Sequence, residues 1–588
     1  MMKRLMALML CLLTVATMFG CANIDKLEGE DDKGAFINMY LGTEIYDFDP
    51  QNSVNNDSAL KVISLLYEPL FRLDENGKVK KALVEKVEIL ENDVKSEYKM
   101  LLTLANTSWS DATYVSANDV IYAWKRILKP GFSNEACALL YDIKNARGVK
   151  EGDLSIDDLG VAAVDELILE ITFEGKIDYD QFMLNLTSYA LVPLREDIVS
   201  RSTDWSKKPA TTVASGPYMI RRVVYGEQLI LERNANYFRN TDKEDGDVLN
   251  KSVNPYRIVI NFTDSPEQQM EAFNNDTLFY INEIPLDQRT AYADTATVTD
   301  MASTHTYYFN TSNPLFEKAE VRKALSMALD RAAIAEKVVF ARPATGIVPY
   351  AVFDSTAGSD LFREVGEDLI ATSADIEGAK SLLASVGVSG GEFTLTHRAD
   401  DVDRAIAEMA KAAWEQLGFT VTLRELSSQA PASGVDAVKD DSLSKVFASG
   451  DYDVIAIDAN ALNATAYAVL APFAKLFSGQ GMDMDSGDYL PSPHCTGFDS
   501  EAYNAKMEEV YAEKDIVARA ALLHEAEKLL LEEMPVIPVV FNQDAYLIHD
   551  DLSGLKTFWG AMPDFRMLKL DEYGRFTTAV TEYVAPAQ

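Results

Sequence analysis

Several things are scarce in this sequence. Four cysteines occur in 588 residues, Cys11, Cys21, Cys137 and Cys495, so the chain is not a disulfide scaffold. None sits at a metal-ligand spacing; one long-range bridge between Cys137 and Cys495 and two unpaired thiols both fit their separation. The five histidines, His305, His397, His494, His524 and His549, form no H-E-x-x-H and none pairs with a cysteine at a zinc spacing. Neither a P-loop nor a G-x-G-x-x-G is present, so no nucleotide or other cofactor and no resident metal are expected. Positive charge is deficient: 54 Lys+Arg stand against 92 Asp+Glu, a net charge of −38. That argues against nucleic acid as a partner, which needs clustered Lys and Arg, and against simple adhesion to anionic lipid. With 20 Pro and 30 Gly there is no collagen-like or long linker-like region. There is no internal repeat of 20–50 residues, and beyond the N-terminus no apolar run is long enough to span a bilayer.

What is present is material for large cores. Hydrophobic residues make up 47% and aromatics 10%, and the length suggests three or more domain-sized units. At the start, Lys3 and Arg4 precede a nearly continuous apolar run from Leu5 to Phe19, the pattern of an export signal over residues 1–20. Met18-Phe19-Gly20-Cys21 resembles a bacterial lipobox, with Met18 and Phe19 replacing the usual residues; it implies lipidation at Cys21. An ordinary cleaved signal and an uncleaved anchor are the alternatives. Residues 21–35 are polar and aperiodic, a tether. The body is then expected to be soluble, outside the cytoplasmic membrane and held to it by lipid, at a cell surface or in a periplasm.

Along the body, strand-like and helix-like stretches alternate, which favours α/β layers. Ala35–Leu41, Tyr98–Ala105, Leu167–Phe173, Gln228–Glu232, Tyr256–Phe262, Phe419–Leu423, Asp451–Ile457 and Val536–Phe541 read as strands. Val62–Phe71, Val321–Val339, Ala374–Val386, Val402–Leu417 and Ile516–Glu533 read as helices, several closed by Gly or Pro. Ser116 three residues before Asp119 predicts a capping box, and Val120, Ile121, Trp124, Ile127 and Leu128 share one face of the helix that follows.

Catalytic signatures fail on inspection. Gly387-Val388-Ser389-Gly390-Gly391 matches G-x-S-x-G, but a nucleophile elbow runs strand, turn, helix, and here the order is helix, turn, strand. Asp483-Met484-Asp485-Ser486-Gly487 places its glycine one position early for a calcium loop and has His494 where the loop needs Glu. Trp109, Trp124, Trp205, Trp414 and Trp559 read as core anchors. No catalytic residue is expected.

Five separated blocks resemble the extracytoplasmic solute-binding proteins of family 5, the oligopeptide- and dipeptide-binding components of ABC importers. They are Asp49-Pro50 with Leu66–Asp74; Trp109–Arg126; Ser215-Gly216-Pro217-Tyr218 with Leu231–Phe238; Tyr308-Phe309-Asn310 with Glu320–Arg331; and Ala526–Leu530 with Pro535–Val539. Ala112 replaces a usual glycine in the second. The likeness covers roughly residues 36–570. It implies an α/β, two-lobed periplasmic-binding-protein-like fold (type II, cluster C) with an additional inserted domain and a hinge. Lobe I would be 36–64, 210–300 and 542–588, the inserted domain 65–209 and lobe II 301–541. It further implies a monomer, not an enzyme, that closes on a peptide or other small solute and passes it to membrane permease subunits driven by ATPase subunits. A peptide engulfed in a cleft needs backbone partners, because each unpaired buried amide group costs about 1–3 kcal/mol, and an open strand edge supplies them. The resemblance places such edges at Val54, Asn55 and Asn56, and at Ile457, Asp458, Ala459 and Asn460, with Tyr307 and Tyr308 as cleft candidates. Peptide-binding members hold the ligand's ammonium with an Asp three residues after an aromatic; Ala459 and Leu462 stand there, and Asp458 is the nearby substitute. The departure keeps open a non-peptide solute such as a nickel chelate, haem or glycan, or a signalling peptide. A secreted hydrolase would rest on Ser389 alone.

Overall fold

The computed structural model describes residues 36–42, 44–53, 56–239, 253–262, 265–427, 442–486, 490 and 497–571. The expected signal (1–20), tether (21–35), Cys21, Val54, Asn55, His494, Cys495 and the chain end (572–588) lie outside the described residues.

In chain order the first strands of the two large sheets are β1 (Phe36–Tyr40), β2 (Val84–Asn92), β3 (Glu97–Leu104), β4 (Val161–Asp165) and β5 (Ile168–Thr172). Next come β6 (Tyr218–Val224), β7 (Gln228–Arg233), β8 (Arg257–Asn261), β9 (Tyr280–Ile281) and β10 (Thr297–Phe309). Last are β11 (Ala341–Pro343), β12 (Gly391–Arg398), β13 (Phe419–Leu426), β14 (Val454–Asn460) and β15 (Val536–Ile548). Strands β2, β3, β5 and β4 form a four-stranded antiparallel sheet of their own. The others make one sheet in the order β13-β12-β14-β10-β15-β9-β1-β8-β7-β6, with β11 also on β15.

That sheet has two halves, and β10 and β15, 13 residues each, serve both. Thr297–Asp300 pairs with Gln543–Tyr546, while Thr304–Tyr308 pairs with Val536–Phe541. Between these registers Met301, Ala302 and Ser303 stand opposite Asn542 alone. Extra residues on one strand bend it and raise its twist, so the bulge is the point at which the lobes can turn relative to each other. The end of β15 pairs with β9, which joins β1 in the first half-sheet. The opening of β15 and the end of β10 belong to the second, with β14 and β12. This is a two-lobed α/β fold crossed by two strands.

The helices follow local chemistry. In α1 (Asp57–Leu66) Asn56 is the N-cap, accepting the Ala59 N–H at 2.8 Å. The apolar run to Phe71 does not stay helical: Tyr67 is extended and Pro69 follows, so the chain leaves the helix at Leu66. In α2 (Ala117–Leu128) the capping box forms, with Asp119 accepting the Ser116 N–H at 2.8 Å. The same carboxylate takes the Trp109 indole N–H at 3.3 Å, and the Trp109 ring is fully buried. Ala112 adopts the left-handed conformation, φ +68°, so the turn keeps a geometry that glycine takes more cheaply.

The stretch Val321–Val339 is two helices, α3 (Ala319–Met327) and α4 (Arg331–Val338). Asp330 caps the second, accepting the Ala333 N–H at 2.9 Å. Buried Arg331 fills the break, donating to the carbonyls of Pro538 at 2.8 Å and Ser326 at 3.0 Å; burial lowers its guanidinium to about 10. Then come α5 (Ile376–Ser385), α6 (Asp401–Glu415), α7 (Glu501–Ala512) and α8 (Ile516–Glu533). Ser389 is exposed between α5 and β12, and Gly390 is required by close passage: a Cβ there would meet the Gly418 carbonyl oxygen at 2.2 Å. One apolar core lies around Trp414, Phe393, Phe316 and Tyr307 on the second half-sheet. The larger one joins the first half-sheet to the four-stranded module and to residues 443–477.

Candidate functional site

The site begins with the pairing of β14. Antiparallel pairing turns alternate residues toward the partner strand. Asp453 accepts the Asn310 N–H at 3.0 Å and Ala461 donates to the Ala302 carbonyl at 2.8 Å, so residues 455, 457 and 459 turn their main chain toward β10. Ala456, Asp458 and Asn460 turn theirs to the other edge. Strand β12 covers that edge only at Val454 and Ile455. Beyond it the edge borders a cavity of about 330 Å³.

This cavity lies between the half-sheets. Its walls include Gln51, Asn56 and Asp57 from the first lobe, Ser133 to Glu135 from the module, and Ser303, His305, Tyr308, Phe447 and Ala456–Asn460 from the second. Two cavities adjoin it. One, of about 100 Å³, shares Asp57, Met301, Ser303, Asn460 and Leu462 with it. The other, of about 170 Å³, lies behind the hinge and shares Asp57, His305, Arg398, Asp403 and Asp458.

An ion cluster forms the floor. His305 Nδ1 lies 3.3 Å from Asp458 Oδ1 and 3.9 Å from Asp403 Oδ1. Arg398 reaches Asp403 at 3.0 Å and Asp458 at 3.7 Å and also bonds Asp400. Burial by itself raises the Asp458 carboxyl, but the His305 hydrogen bond and the Arg398 charge hold it well below its usual range. Burial pushes Asp403 up to about 6 against the pull of Arg398. Burial would lower His305, yet the Asp403 charge and the Asp458 hydrogen bond leave it raised. Asn542, the residue opposite the bulge, donates to both Ser303 Oγ and Asp458 Oδ1 at 3.0 Å. The hinge and the cleft floor thus share a hydrogen-bond network. A second buried cation, Lys61, ties α1 to the crossing strand: its ammonium lies 2.6 Å from Asp57 and 3.1 Å from Asp544 and bonds Asn282.

The sequence-predicted residues separate into groups. Asn56, Tyr308, Ile457, Asp458, Ala459 and Asn460 all line the interlobe cavity. Tyr308 stacks on Phe473 at 6.1 Å and meets Phe447 edge-on at 5.1 Å. Tyr307 does not reach the cleft: it is fully buried and packs edge-on against Trp414 at 5.4 Å. The two-residue side-chain period of a strand puts it on the opposite face from Tyr308. Asp458 lines the cavity, its carboxylate facing the charged His305 and Arg398 and accepting a hydrogen bond from the Asn542 amide. Leu462 lines both the large cavity and its smaller neighbour. Val54, Asn55 and Cys21 lie outside the described residues. Trp559, expected in a core, lines the smaller cavity, half-buried, with its indole N–H held by the Ala351 carbonyl at 2.5 Å. Cys137 is a buried free thiol, 3.2 Å from the Tyr141 hydroxyl. Sequence reading missed Ser303, His305, Arg398, Asp403 and Asn542. The bulge that gathers them is a mismatch between distant strands, and no local pattern signals it.

A two-lobed body with a strand edge facing an interlobe cavity is the architecture of a binding protein, and the comparisons agree. The family of bacterial extracellular solute-binding proteins, family 5 (middle region), matches residues 97–480. The chain belongs to this family, whose members bind solutes and do not catalyse their conversion. It is 25% identical over 544 residues to the dipeptide-binding protein DppE of Bacillus subtilis, covering 90% of this chain and 91% of that one. It is 24% identical over 538 residues to the oligopeptide-binding protein OppA of the same organism, with the same coverage of each. The solved murein tripeptide-binding protein MppA of Escherichia coli superposes with TM-score 0.74 at 21% identity, over 92% of this chain and 99% of that one. MppA in its unliganded open form gives 0.56 at 21% identity over 92% of this chain and 98% of that one. Among the described residues no helix is long and apolar enough to cross a membrane.

Proposed function

We propose that this protein is the extracytoplasmic substrate-binding component of an ABC importer. It captures oligopeptides between its lobes by hinge closure and delivers them to the permease. The observation that carries this reading is the β14 edge beyond Ile455, whose main chain faces the interlobe cavity as the partner an added peptide strand requires. The relatives it resembles, dipeptide- and oligopeptide-binding proteins, support it. In this reading lobe I is 36–64, 210–300 and 542–588, the inserted domain is 65–209 and lobe II is 301–541. Asn56, Tyr308, Ile457, Asp458, Ala459 and Asn460 contact ligand, the Asp458 contribution being its main chain, and Val54 and Asn55 belong to the same set of ligand contacts. Residues 1–20 direct export, Cys21 carries lipid, 21–35 is the tether, and the protein works as a monomer beside its permease and ATPase subunits. Native mass spectrometry of gently purified protein is expected to show a series of bound peptide masses. A single non-peptide mass overturns the peptide assignment and favours the second reading, a family-5 binder of another solute, which Leu462 supports.

A further inference from the structure

The smaller cavity offers a basis for ligand selection, and the inference rests on the peptide reading. We propose that the cavity walled by Leu60, Leu65, Leu73, Met301, Leu462 and Trp559 is a specificity pocket that takes one bulky, uncharged side chain of the bound peptide.

Three observations converge on it. The first is position. Asn460, the end of the open edge, and Leu462, two positions beyond it, line both this cavity and the large one. A peptide paired with that edge projects alternate side chains to opposite sides, and one of them faces the smaller cavity. The second is chemistry. The wall is mostly aliphatic and aromatic, and its volume of about 100 Å³ exceeds the roughly 30 Å³ share of one water several-fold. The guanidiniums that reach it are already paired inside the protein: Arg566 meets Asp564 at 2.5 and 2.8 Å and Arg72 meets Glu68 at 3.0 Å. Asp57 shares the single Lys61 ammonium, at 2.6 Å, with Asp544 at 3.1 Å. A charged ligand side chain would lose its water and gain no dedicated counter-charge there. The third is rigidity. The Trp559 indole is fixed by Ala351, and Gly560 beside it, at φ +70°, lies against the bulge: a Cβ there would meet the Ala302 Cβ at 3.3 Å. The pocket is therefore assembled from both lobes and the hinge, and it is complete only when they come together.

The test is isothermal titration calorimetry with alanine pentapeptides carrying Phe, Leu, Lys or Glu at each position in turn. At one position Phe or Leu should bind about tenfold or more tightly than Ala, and Lys and Glu no better than Ala. Filling the cavity by Leu462→Trp, or independently by Leu60→Phe, should bring the Phe-to-Ala ratio at that position close to one, and Leu462→Met should retain the preference. Thermal melts of each variant confirm folding. Tight binding with a flat profile at every position, or a preference that survives both filled variants, overturns the pocket and leaves peptide capture standing. If none of the peptides binds, the peptide reading falls and the pocket falls with it.

Discussion

The lobes are joined in two places by different means. At the hinge, β10 and β15 carry continuous backbone through both half-sheets, and the bulge opposite Asn542 lets that ladder bend. At the rim, residues 130–190 of the module meet residues 463–514 of the second lobe without sharing a sheet. There Arg147 reaches Glu508 at 2.6 and 3.0 Å beneath the rings of Phe477 and Tyr511, each about 5.0 Å away. Lys514 meets Asp142 at 3.2 Å, Asn463 donates to Asn185 at 3.0 Å, and the Asn134 N–H bonds the Gly479 carbonyl at 2.9 Å. A sheet ladder is cooperative and costly to part; partly exposed ion pairs and single hydrogen bonds are individually worth about 1 kcal/mol or less. The difference teaches how each joint can move: the hinge can bend with its ladder intact, while parting the rim breaks no sheet but uncovers the apolar core that runs from the module into residues 443–477.

That contrast is open to attack at three points. The largest effect is expected at the hinge. His305→Gln removes one member of a buried charged network and should cost roughly 3 kcal/mol in urea unfolding at pH 6.5. The folded protein raises the His305 pKa, so this stabilisation is complete below the unfolded value of about 6.5 and is lost as pH rises through the folded one. The gap between the two proteins should therefore narrow at pH 9; a constant gap would mean that the imidazolium charge plays no part.

A middle effect is expected where the rim is tightest. Gly479 is at φ +69°, and a Cβ there would lie 1.9 Å from the Asn134 carbonyl oxygen across the joint. Gly479→Val should hold the lobes apart, with a larger radius of gyration in small-angle scattering and ligand affinity reduced roughly tenfold, matching an overpacking cost of about 1–3 kcal/mol. An unchanged scattering curve would show that the joint relaxes around the side chain. The smallest effect is expected for Arg147→Ala, a few-fold faster ligand release in stopped-flow measurements with little change in melting temperature. A large drop in melting temperature would place this pair in the core of the fold and out of the moving rim.

Much of this architecture was legible in the sequence because it is written locally. Ser116 and Asp119 announce their capping box, Ile516–Glu533 is bounded by the Asp515 cap and Pro535 and forms as read, and the alternation at 98–105 gives β3 within a residue. Errors arose where tertiary partners decide. Val321–Val339 keeps its apolar period across Asp330, whose cap on the second helix is the local mark of the break, and Arg331 fixes that break through carbonyls both near, at Ser326, and far, at Pro538. Tyr307 and Tyr308 are alike by type, and only the facing of β10 sends one to Trp414 and the other to the cavity. The floor cluster draws on Asp403, Asp458 and Asn542, which no spacing rule connects.

Strand β15 has a consequence for biogenesis. Its opening residues finish one half-sheet and its closing residues, pairing with Tyr280 and Ile281, finish the other. Neither half can be completed by a nascent chain until almost the whole polypeptide has emerged, and such non-local pairing slows folding. The last strand of the large sheet to be synthesised thus governs when either half of it is complete, and a chain truncated before it would leave two open sheet edges exposed to aggregation.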